Sequence, residues 1–306
     1  MPENQRIAYI CICHKDPEFI ARVCNKLNYK YDAVFIHVDK KTDEKPFKEK
    51  CKNLKNVHFV KDRIKVYWGG WNYIIATMRT YELALKTGKF TRFVVLQGQD
   101  YPLFSNGYIH NFFEQHRETE FCRGIDITES TDKASYMKMC GYWHMDQKLP
   151  SVVLFKCLRR LMGKINDLGI PYRRRTYKNM RVVYGGAFTA LTENCVKYIL
   201  EYYKNNPGYN RYMKHRFPPD ELYIQSIVHN SPFKEKLYDK IIYNRQGFAT
   251  KQNLTYFEYP KEVTVFKTIE EYEEIKKLGS LYLKKVNSSS RELLDYIDKV
   301  TVDIDC

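Results

Sequence analysis

The sequence contains no apolar run of membrane-spanning length and no N-terminal signal segment with an apolar centre. It also lacks zinc-finger spacing, an RNP-type aromatic motif and a heptad zipper, which are the usual marks of nucleic-acid binding. Internal repeats, low-complexity stretches and linkers are missing as well. We therefore expect a cytoplasmic protein with one compact domain that neither spans a membrane nor binds nucleic acid.

The nine cysteines include no Cys-x-x-Cys pair, and their number is odd. Scattered thiols of this kind are typical of buried side chains in a reducing compartment, not of a disulfide framework. Cys11 and Cys13 alternate within a predicted strand and so face the same side. Together with His14 they would make an awkward zinc site, and no second ligand pair appears at finger spacing. We expect no metal site among the cysteines.

Acidic residues are in deficit, with 36 Asp and Glu against 51 Lys and Arg, which gives a net charge of +15. Nucleic acid, an anionic membrane surface or a phosphate-bearing substrate could each account for this balance. The densest basic run is Arg173-Arg174-Arg175, followed by Lys178 and Arg181. Its ordinary interpretation is a solvated loop. The sharper alternative is peripheral contact with an anionic membrane, at its inner face.

The 306 residues are 44% hydrophobic and 15% aromatic, so the chain is globular and long enough to bury a core. The first half alternates apolar strand runs with amphipathic helices, which predicts a Rossmann-like α/β fold: a mostly parallel sheet flanked by helices on both faces. There the pattern predicts strands near 7–13, 33–38, 57–60, 92–97 and 121–127 and helices near 17–28, 46–53, 71–87 and 106–116. The second half predicts helices near 152–168, 192–205, 220–229, 268–278 and 289–299 and strands near 182–191 and 263–266.

Three of the apolar runs end in a polar turn: the first at His14, the second at Asp39 and the third at Gly98-Gln99-Asp100. In an open α/β sheet, ligands bind outside the carboxyl ends of the strands. The three turns therefore predict one crevice.

A second candidate lies at Pro218-Pro219-Asp220-Glu221, where two prolines stop one segment and two carboxylates open a predicted amphipathic helix. A carboxylate in the first helical turn is stiffly placed near backbone N–H groups, which suits a catalytic base. It equally suits a plain N-terminal cap. On this stretch alone the cap is the better interpretation, and only the other motifs shift the balance.

The motifs occur in a specific order, which is HKDP, HVDKK, YWGGW, LQGQDYPL, a glycine-rich strand with Phe188 and Thr189, PDE and LYLKKV. This order resembles the core-2/I-branching β-1,6-N-acetylglucosaminyltransferase family, whose domain peptide O-xylosyltransferases share. The resemblance runs from about residue 6 to residue 286. The short chain and the missing signal anchor look more like bacterial members than Golgi enzymes.

The resemblance implies a GT-A-type glycosyltransferase fold in a single domain over 1–306. Residues 1–127 would form the nucleotide-binding half, and 128–306 the acceptor-binding half with a C-terminal diphosphate-binding segment. It also implies inversion at the anomeric carbon, without a divalent metal or another cofactor.

The resemblance assigns roles residue by residue. Glu221 of the PDE motif is the implied base. Gly98 and Asp100 of the QGQD motif are the implied acceptor contacts. The implied contacts to the nucleotide sugar are Cys11, Ile12, Cys13, His14, Asp39, Lys40 and Trp68, with Lys285 and, by spacing, Lys261 on the diphosphate.

Each of these residues also has a purely structural interpretation. Asp39 can cap a turn, His14 can satisfy a strand end, and Trp68 can be a core aromatic. Asp100 can simply brace the Gly98 turn. Lys285 belongs to a Lys284-Lys285 pair, so the motif could be misplaced by one residue and Lys284 could be the diphosphate ligand instead. Lys261 stands where the animal members carry Arg, and Lys lacks the bidentate fork of Arg.

The chemistry needed for transfer agrees with the resemblance. Negative charge on the departing diphosphate is stabilised by Mn²⁺ or by fixed cations. The metal-dependent pattern Asp-x-Asp occurs in this chain only at Asp303-Ile304-Asp305, in the C-terminal tail. Cations are therefore expected to serve, with an ionised carboxylate as base.

We thus expect an inverting, metal-independent transfer of a sugar, GlcNAc favoured, from a UDP-sugar to a glycan or lipid-linked glycan in bacterial surface polysaccharide synthesis. UDP-xylose or another UDP-sugar is the close alternative. A non-catalytic nucleotide-sugar or glycan-binding module is the alternative from another class, although such a module needs no base. Residues 120–180 do not match the animal enzymes, so the acceptor stays open.

Overall fold

A computed structural model describes residues 5–130, 132–146, 152–168, 176–239, 254–258 and 264–303. For 133–136, 152–153 and 155–156 it describes the backbone alone. Within these ranges no helix has the length and apolarity needed to cross a bilayer.

The described strands are β1 (Ile7–Cys13), β2 (Ala33–Val38), β3 (Val57–Phe59), β4 (Arg92–Gln97), β5 (Asp100–Pro102), β6 (Ile125–Asp126), β7 (Val183–Tyr184), β8 (Ala190–Thr192), β9 (Thr255–Tyr256) and β10 (Tyr282–Lys284). The described α-helices are α1 (Pro17–Lys26), α2 (Lys45–Lys50), α3 (Asn72–Thr87), α4 (Asn106–Gln115), α5 (Lys133–Cys140), α6 (Val152–Asp167), α7 (Glu193–Asn205), α8 (Pro207–Met213), α9 (Tyr223–His229), α10 (Ile269–Lys276) and α11 (Arg291–Val300). Short 3₁₀ turns lie at Pro219–Glu221, Pro232–Lys236 and Ser288–Ser290.

The central sheet has the strand order β3-β2-β1-β4-β8. β1 pairs in parallel with β2 and β4, β2 pairs in parallel with β3, and β8 joins the edge antiparallel to β4. Every residue of β1 and β2 is buried, as expected for strands covered on both faces. This confirms the predicted fold class, a mostly parallel sheet flanked by helices.

Alternate residues of β1 divide the apolar interior into two clusters. Tyr9 and Cys11 pack with α1, α4, α10 and α11, whereas Ala8 and Ile10 pack with α3, α7 and α9. Helices therefore cover both faces of the sheet. The carboxyl ends of its strands are left to form the site.

A second, small sheet brings the C-terminal part of the chain back to this edge. Its order is β5-β10-β9, and the antiparallel register places Lys284 opposite Asp100. β5 follows β4 after a two-residue turn, so β10 comes to lie close to the end of β4.

Several predicted elements are wrong in detail. α8, which begins at Pro207, was not predicted; proline at the first helical position is well tolerated. α5 was not predicted. The carboxylates at 220 and 221 lie in a 3₁₀ turn ahead of α9, not in its first turn. Residues 264–266 form no strand, and 263 lies outside the described ranges.

Candidate active site

The carboxyl ends of β1, β2 and β4 open into a cavity of about 1430 Å³, which confirms the predicted crevice. We call the side built by these ends the strand-end rim; it comprises Ile12, Cys13, His14, Lys15, Asp39, Lys41, Thr42, Gln97, Gly98 and Gln99. We call a second set of ionisable lining residues the charged rim; it comprises Lys138, Tyr184, Asp220, Glu221 and Lys284.

Asp39 organises the turn after β2. Its Oδ1 accepts hydrogen bonds from the backbone N–H of Lys41 at 2.9 Å and of Val66 at 3.2 Å, and its Oδ2 pairs with Lys41 Nζ at 2.8 Å. The Lys41 ammonium also lies 4.0 Å from the centre of the Tyr67 ring. Asp39 therefore caps a turn while lining the cavity, so both interpretations of this residue are compatible.

Gly98 allows the β4 turn to approach β1 closely. A Cβ atom at this position would lie 2.8 Å from the Cβ of Cys13, and the Gly98 N–H donates to the carbonyl of Ile12 at 3.2 Å. Asp100 braces the same turn, because its Oδ2 accepts from the Gln97 N–H at 2.7 Å. Burial raises the pKa of Asp100 to about 6, against the opposing effect of nearby Lys284.

Trp68 is an exposed aromatic at the cavity mouth, with 63% of its surface accessible. Its ring stands edge-on to Phe217, with 5.2 Å between ring centres, and the Arg159 guanidinium lies 5.1 Å from the Trp68 ring centre. This exposure excludes core packing as the role of Trp68. An exposed indole face can stack on a flat ligand ring.

The turn at Pro219–Glu221 presents both carboxylates to the cavity. The Glu221 carbonyl accepts from the Gly185 N–H at 2.8 Å, and Gln225 Nε2 donates to the carbonyls of Gly186 at 2.8 Å and Asp220 at 3.3 Å. A Cβ atom on residue 185 would lie 2.1 Å from the carbonyl oxygen of Arg123, so glycine is required there for this close approach. The backbone of the carboxylate pair is thus fixed from two sides.

Both carboxylates hold protons more tightly than usual. Burial raises the pKa of Asp220 to about 7, with a further contribution from Glu221. Burial also raises the pKa of Glu221, opposed by Lys138, by a hydrogen bond from Tyr184 and by Lys284. In the described part of the chain, Asp220 Oδ1 is buried and has no hydrogen-bond partner. Such perturbed groups in a cleft are typical of functional sites.

Lys284, the last residue of β10, is a cation of the charged rim. Its ammonium donates to Gln97 Oε1 and lies 4.6 Å from the centre of the Phe188 ring. Burial lowers its pKa, against the opposing effects of Asp100, Asp220 and Glu221. Lys285, the residue assigned from the motif, is not among the described residues that line the cavity. Lys261 lies outside the described residues.

The sequence-based candidates thus separate into two groups. Those that line the cavity are Ile12, Cys13, His14, Asp39, Trp68, Gly98 and Glu221. Cys11 is instead buried in the core beside Cys13, Lys40 is exposed while its neighbour Lys41 lines the cavity, and Asp100 lies behind the Gly98 turn. His14 has a lowered pKa because of partial burial and then because of Lys15.

Sequence reasoning missed two residues of the charged rim, Lys138 on α5 and Tyr184 on β7. The Lys138 ammonium lies 4.1 Å from the centre of the Tyr184 ring, and both line the cavity beside Glu221. Neither stands in a motif with a chemical signature. Tyr184 precedes Gly185-Gly186, and that glycine pair was the only local signal of a close approach.

Comparison with known proteins identifies the family. A family model described as Core-2/I-Branching enzyme matches residues 7–247. The chain belongs to this family. Xylosyltransferase 1 of Homo sapiens and of Pan troglodytes is 21% identical over 248 residues, which cover 78% of this chain and 24% of each relative. The chain thus spans about a quarter of the length of these curated relatives.

Core-2/I-branching enzymes are glycosyltransferases with a GT-A-like fold, and the α/β architecture described above agrees with that fold. In this member of the family, the cavity combines three capabilities. The strand-end rim borders a crevice outside the carboxyl ends of parallel strands, where α/β folds bind their ligands. A carboxylate with a raised pKa can accept a proton, and an ammonium can stabilise an anion that forms in the cavity.

Proposed function

We propose that this chain is an inverting glycosyltransferase that moves a sugar, most favourably GlcNAc, from a UDP-sugar to a hydroxyl group of a glycan. The observation that carries the proposal is the single cavity that Glu221, Lys284 and the strand ends of the nucleotide-binding half line together. Membership of the Core-2/I-branching family supports it. In this proposal, residues 1–127 bind the nucleotide. Residues 128–306 supply the acceptor site and the diphosphate contact.

The reaction needs one base and one anion-stabilising group. Glu221 takes the proton of the attacking acceptor hydroxyl. The acceptor oxygen bonds to the anomeric carbon, the bond from that carbon to the phosphate oxygen breaks on the opposite face, and UDP leaves with the bonding electrons. Lys284 lies where it can stabilise the charge that develops on the diphosphate. Asp39 and Trp68 line the nucleotide end of the cavity, and Gly98 leaves space near the acceptor.

We also propose that transfer needs no divalent metal. The support is Lys284, a cation that lines the cavity and can stabilise the departing diphosphate. We expect excess EDTA to leave the initial rate unchanged and added Mn²⁺ to raise it less than twofold. A strict Mn²⁺ requirement would contradict this part of the proposal.

Donor identity decides between close alternatives. The curated relatives are named xylosyltransferases, which supports UDP-xylose as the second candidate donor. The alternative from another class is a binding module that takes a nucleotide sugar or a glycan without turning it over. The carboxylate of Glu221 in the cavity favours the enzyme, since simple binding requires no base.

A nucleotide-sugar panel tests the proposal. We would measure thermal unfolding with UDP-GlcNAc, UDP-xylose, UDP-glucose, UDP-galactose, UDP and uridine, with GDP-mannose as a negative control. A ligand present at 100 times its dissociation constant adds about 2.7 kcal/mol to the free energy of unfolding. Release of UDP from the best donor over hours, faster than from a boiled sample, distinguishes an enzyme from a binding module. Failure of every UDP compound to stabilise the protein would overturn the proposal.

For its setting, we propose bacterial surface polysaccharide synthesis on the cytoplasmic side of the inner membrane, with a glycan or lipid-linked glycan as acceptor. The support is the net charge of +15, which favours peripheral contact with anionic lipids over a purely soluble encounter. Fractionation of cells that express the tagged protein, with a salt wash of the membranes, would test this location.

A further inference from the structure

Helix α6 carries an apolar stripe that faces solvent along its length. Leu154, Leu161, Ile165 and the following Leu168 are exposed by 45, 54, 40 and 75%, and Cys157 between them is also exposed. The steps of three and four residues place these side chains within about a quarter of the helix circumference. Four of the eleven large apolar side chains that are exposed in the described ranges therefore belong to this stripe.

The side of α6 that adjoins the stripe is held against the body of the protein. Leu158 and Met162 are half-buried and Asn166 is buried. Asn166 Oδ1 accepts from the Tyr142 N–H at 2.8 Å, and Asn166 Nδ2 donates to the Tyr142 carbonyl at 3.3 Å. These contacts fix the rotation of the helix. The apolar stripe is therefore presented outward by the fold and cannot turn inward without breaking them.

A basic edge runs beside the stripe. Arg160 and Lys164 are exposed, and no carboxylate among the described residues forms an ion pair with either. A helix with an exposed apolar stripe and cations along its border has the character of a helix that lies in a membrane interface. Exposed apolar patches of this kind on a soluble surface usually mark an interaction site.

The helix also borders the cavity. The guanidinium of Arg159 lies 5.1 Å from the ring centre of Trp68 and 5.8 Å from that of Phe217, and both rings line the cavity. Arg159 leaves α6 on the side away from the stripe, so the stripe and the cavity mouth lie on opposite sides of one helix. An acceptor that a lipid holds in the bilayer would therefore lie roughly 10 Å, one helix diameter, from the cavity mouth.

We propose that α6 docks the protein on an anionic lipid bilayer, with the apolar stripe in the boundary between headgroups and acyl chains and the basic edge on lipid phosphates. A second copy of the chain fits this surface less well, because a two-fold contact with antiparallel helices would bring the basic edges of both copies together. Docking builds on the proposed function, since it brings the cavity to a lipid-held acceptor, but its test requires no sugar transfer.

Vesicle flotation tests the surface. Wild-type protein is expected to float with vesicles of phosphatidylglycerol in excess phosphatidylcholine and to remain behind with pure phosphatidylcholine. Arg160→Gln with Lys164→Gln should weaken partitioning about thirtyfold, from about fivefold for each lost cation. Leu161→Ser with Leu168→Ser should weaken it about tenfold or more. Two matched controls should float like wild type. One is Lys86→Gln with Lys89→Gln, because both lysines are exposed where α3 leads into β4, at the amino end of that strand. The other is Val302→Ser, because Val302 is 65% exposed.

Cys157 allows insertion to be measured directly. Of the eight described cysteines it is the only exposed one, so a polarity-sensitive fluorophore attached in a Cys306→Ser background should report from the stripe. Its emission should shift to the blue with anionic vesicles. The same fluorophore on Val302→Cys, in a background that also carries Cys157→Ser, should show no shift.

Three results would overturn the proposal. They are failure of the wild type to float with anionic vesicles, equal flotation of the α6 variants, and a self-associated species in sedimentation that Leu161→Ser dissolves without any lipid binding. Binding of UDP should be the same in all α6 variants. Lipid docking without UDP binding would leave the inference standing and remove the proposed function, and the converse would do the opposite.

Discussion

The two rims of the cavity are built by different means. The strand-end rim uses short turns directly after β1, β2 and β4, whose positions follow from the parallel register of a buried sheet. The charged rim gathers one or two side chains each from α5, β7, the Pro219–Glu221 turn and β10, which lie far apart in sequence. The strand-end rim carries one ion pair, between Asp39 and Lys41, which backbone N–H groups hold in place. The charged rim is a set of coupled charges.

This difference suggests a division of function. Changes at the strand-end rim should alter nucleotide affinity and stability, whereas loss of Glu221 or Lys284 from the charged rim should alter the rate of the chemical step. Interactions that strengthen only as charge develops raise the catalytic rate, and those are the interactions that ammonium and carboxylate groups provide. The predictions below test that division, from the largest expected effect to the smallest.

Glu221→Gln should give the largest loss. Removal of a general base commonly costs about two to four decades in rate. Glutamine keeps the shape of the side chain and cannot accept the proton, so binding of UDP should stay within about twofold of wild type. Initial rates with the best donor, and calorimetric titration with UDP, measure the two quantities.

The matched control for that experiment is Asp220→Asn, the other carboxylate of the same turn. It should retain most of the wild-type rate. The raised pKa of Glu221 adds a second readout, because protonation of the base should lower the wild-type rate as the pH falls. Substantial turnover by the Gln variant, or equal losses in both variants, would show that Glu221 is not the base.

Lys284→Ala should come next. The Lys284 ammonium lines the cavity, so its loss should lower the rate by about two decades and weaken UDP binding about tenfold. Affinity for uridine should be almost unchanged, because uridine carries no phosphate. Calorimetric titration of each variant with uridine and with UDP separates the two effects.

Lys285→Ala is the control that decides which of the two adjacent lysines contacts the diphosphate. We expect it to keep near-wild-type rate and UDP affinity, since Lys285 is not among the described cavity-lining residues. A phosphate-specific loss in Lys285→Ala alone would return the role to Lys285, as the motif first suggested. Parallel losses of uridine and UDP affinity in Lys284→Ala would point to a collapsed cavity and contradict a diphosphate contact.

The comparison of the rims also explains what the sequence could predict. The bounds of β1, β2 and β4 match the prediction, because a fully apolar run of strand length has one stable environment, the middle of a covered sheet. Their polar ends then identify the strand-end rim. Gly98 was predicted only as an acceptor contact, and the close approach to Cys13 that its missing Cβ allows was not predicted.

The residues of the charged rim could be predicted only in part from the sequence. Glu221 could be found because its motif is local, but its 3₁₀ turn could not, since two carboxylates after proline suit a helix start equally well. Lys138 and Tyr184 meet through long-range packing that no local pattern encodes. The choice between Lys284 and Lys285 depends on the register of β10 against β5, and a shift of one residue turns a side chain to the other face.

Asp220→Asn should have the smallest effect. The effect should be a gain where the other variants lose, and it should appear in stability instead of rate. The pKa of Asp220 is raised from 3.8 to about 7, so the folded state holds its proton more tightly than the unfolded state. The favourable contribution of the protonated carboxyl is complete below 3.8 and is lost as the pH rises through about 7. Above that pH the Asn variant should be more stable than wild type by about 1 to 2 kcal/mol, allowing for partial exposure. The gain should shrink as the pH falls and vanish under acid conditions, as urea unfolding at a series of pH values would measure.

Lower stability of the Asn variant at every pH would contradict this prediction. It would mean that a favourable partner holds the Asp220 carboxylate, and that this part of the charged rim stabilises the fold.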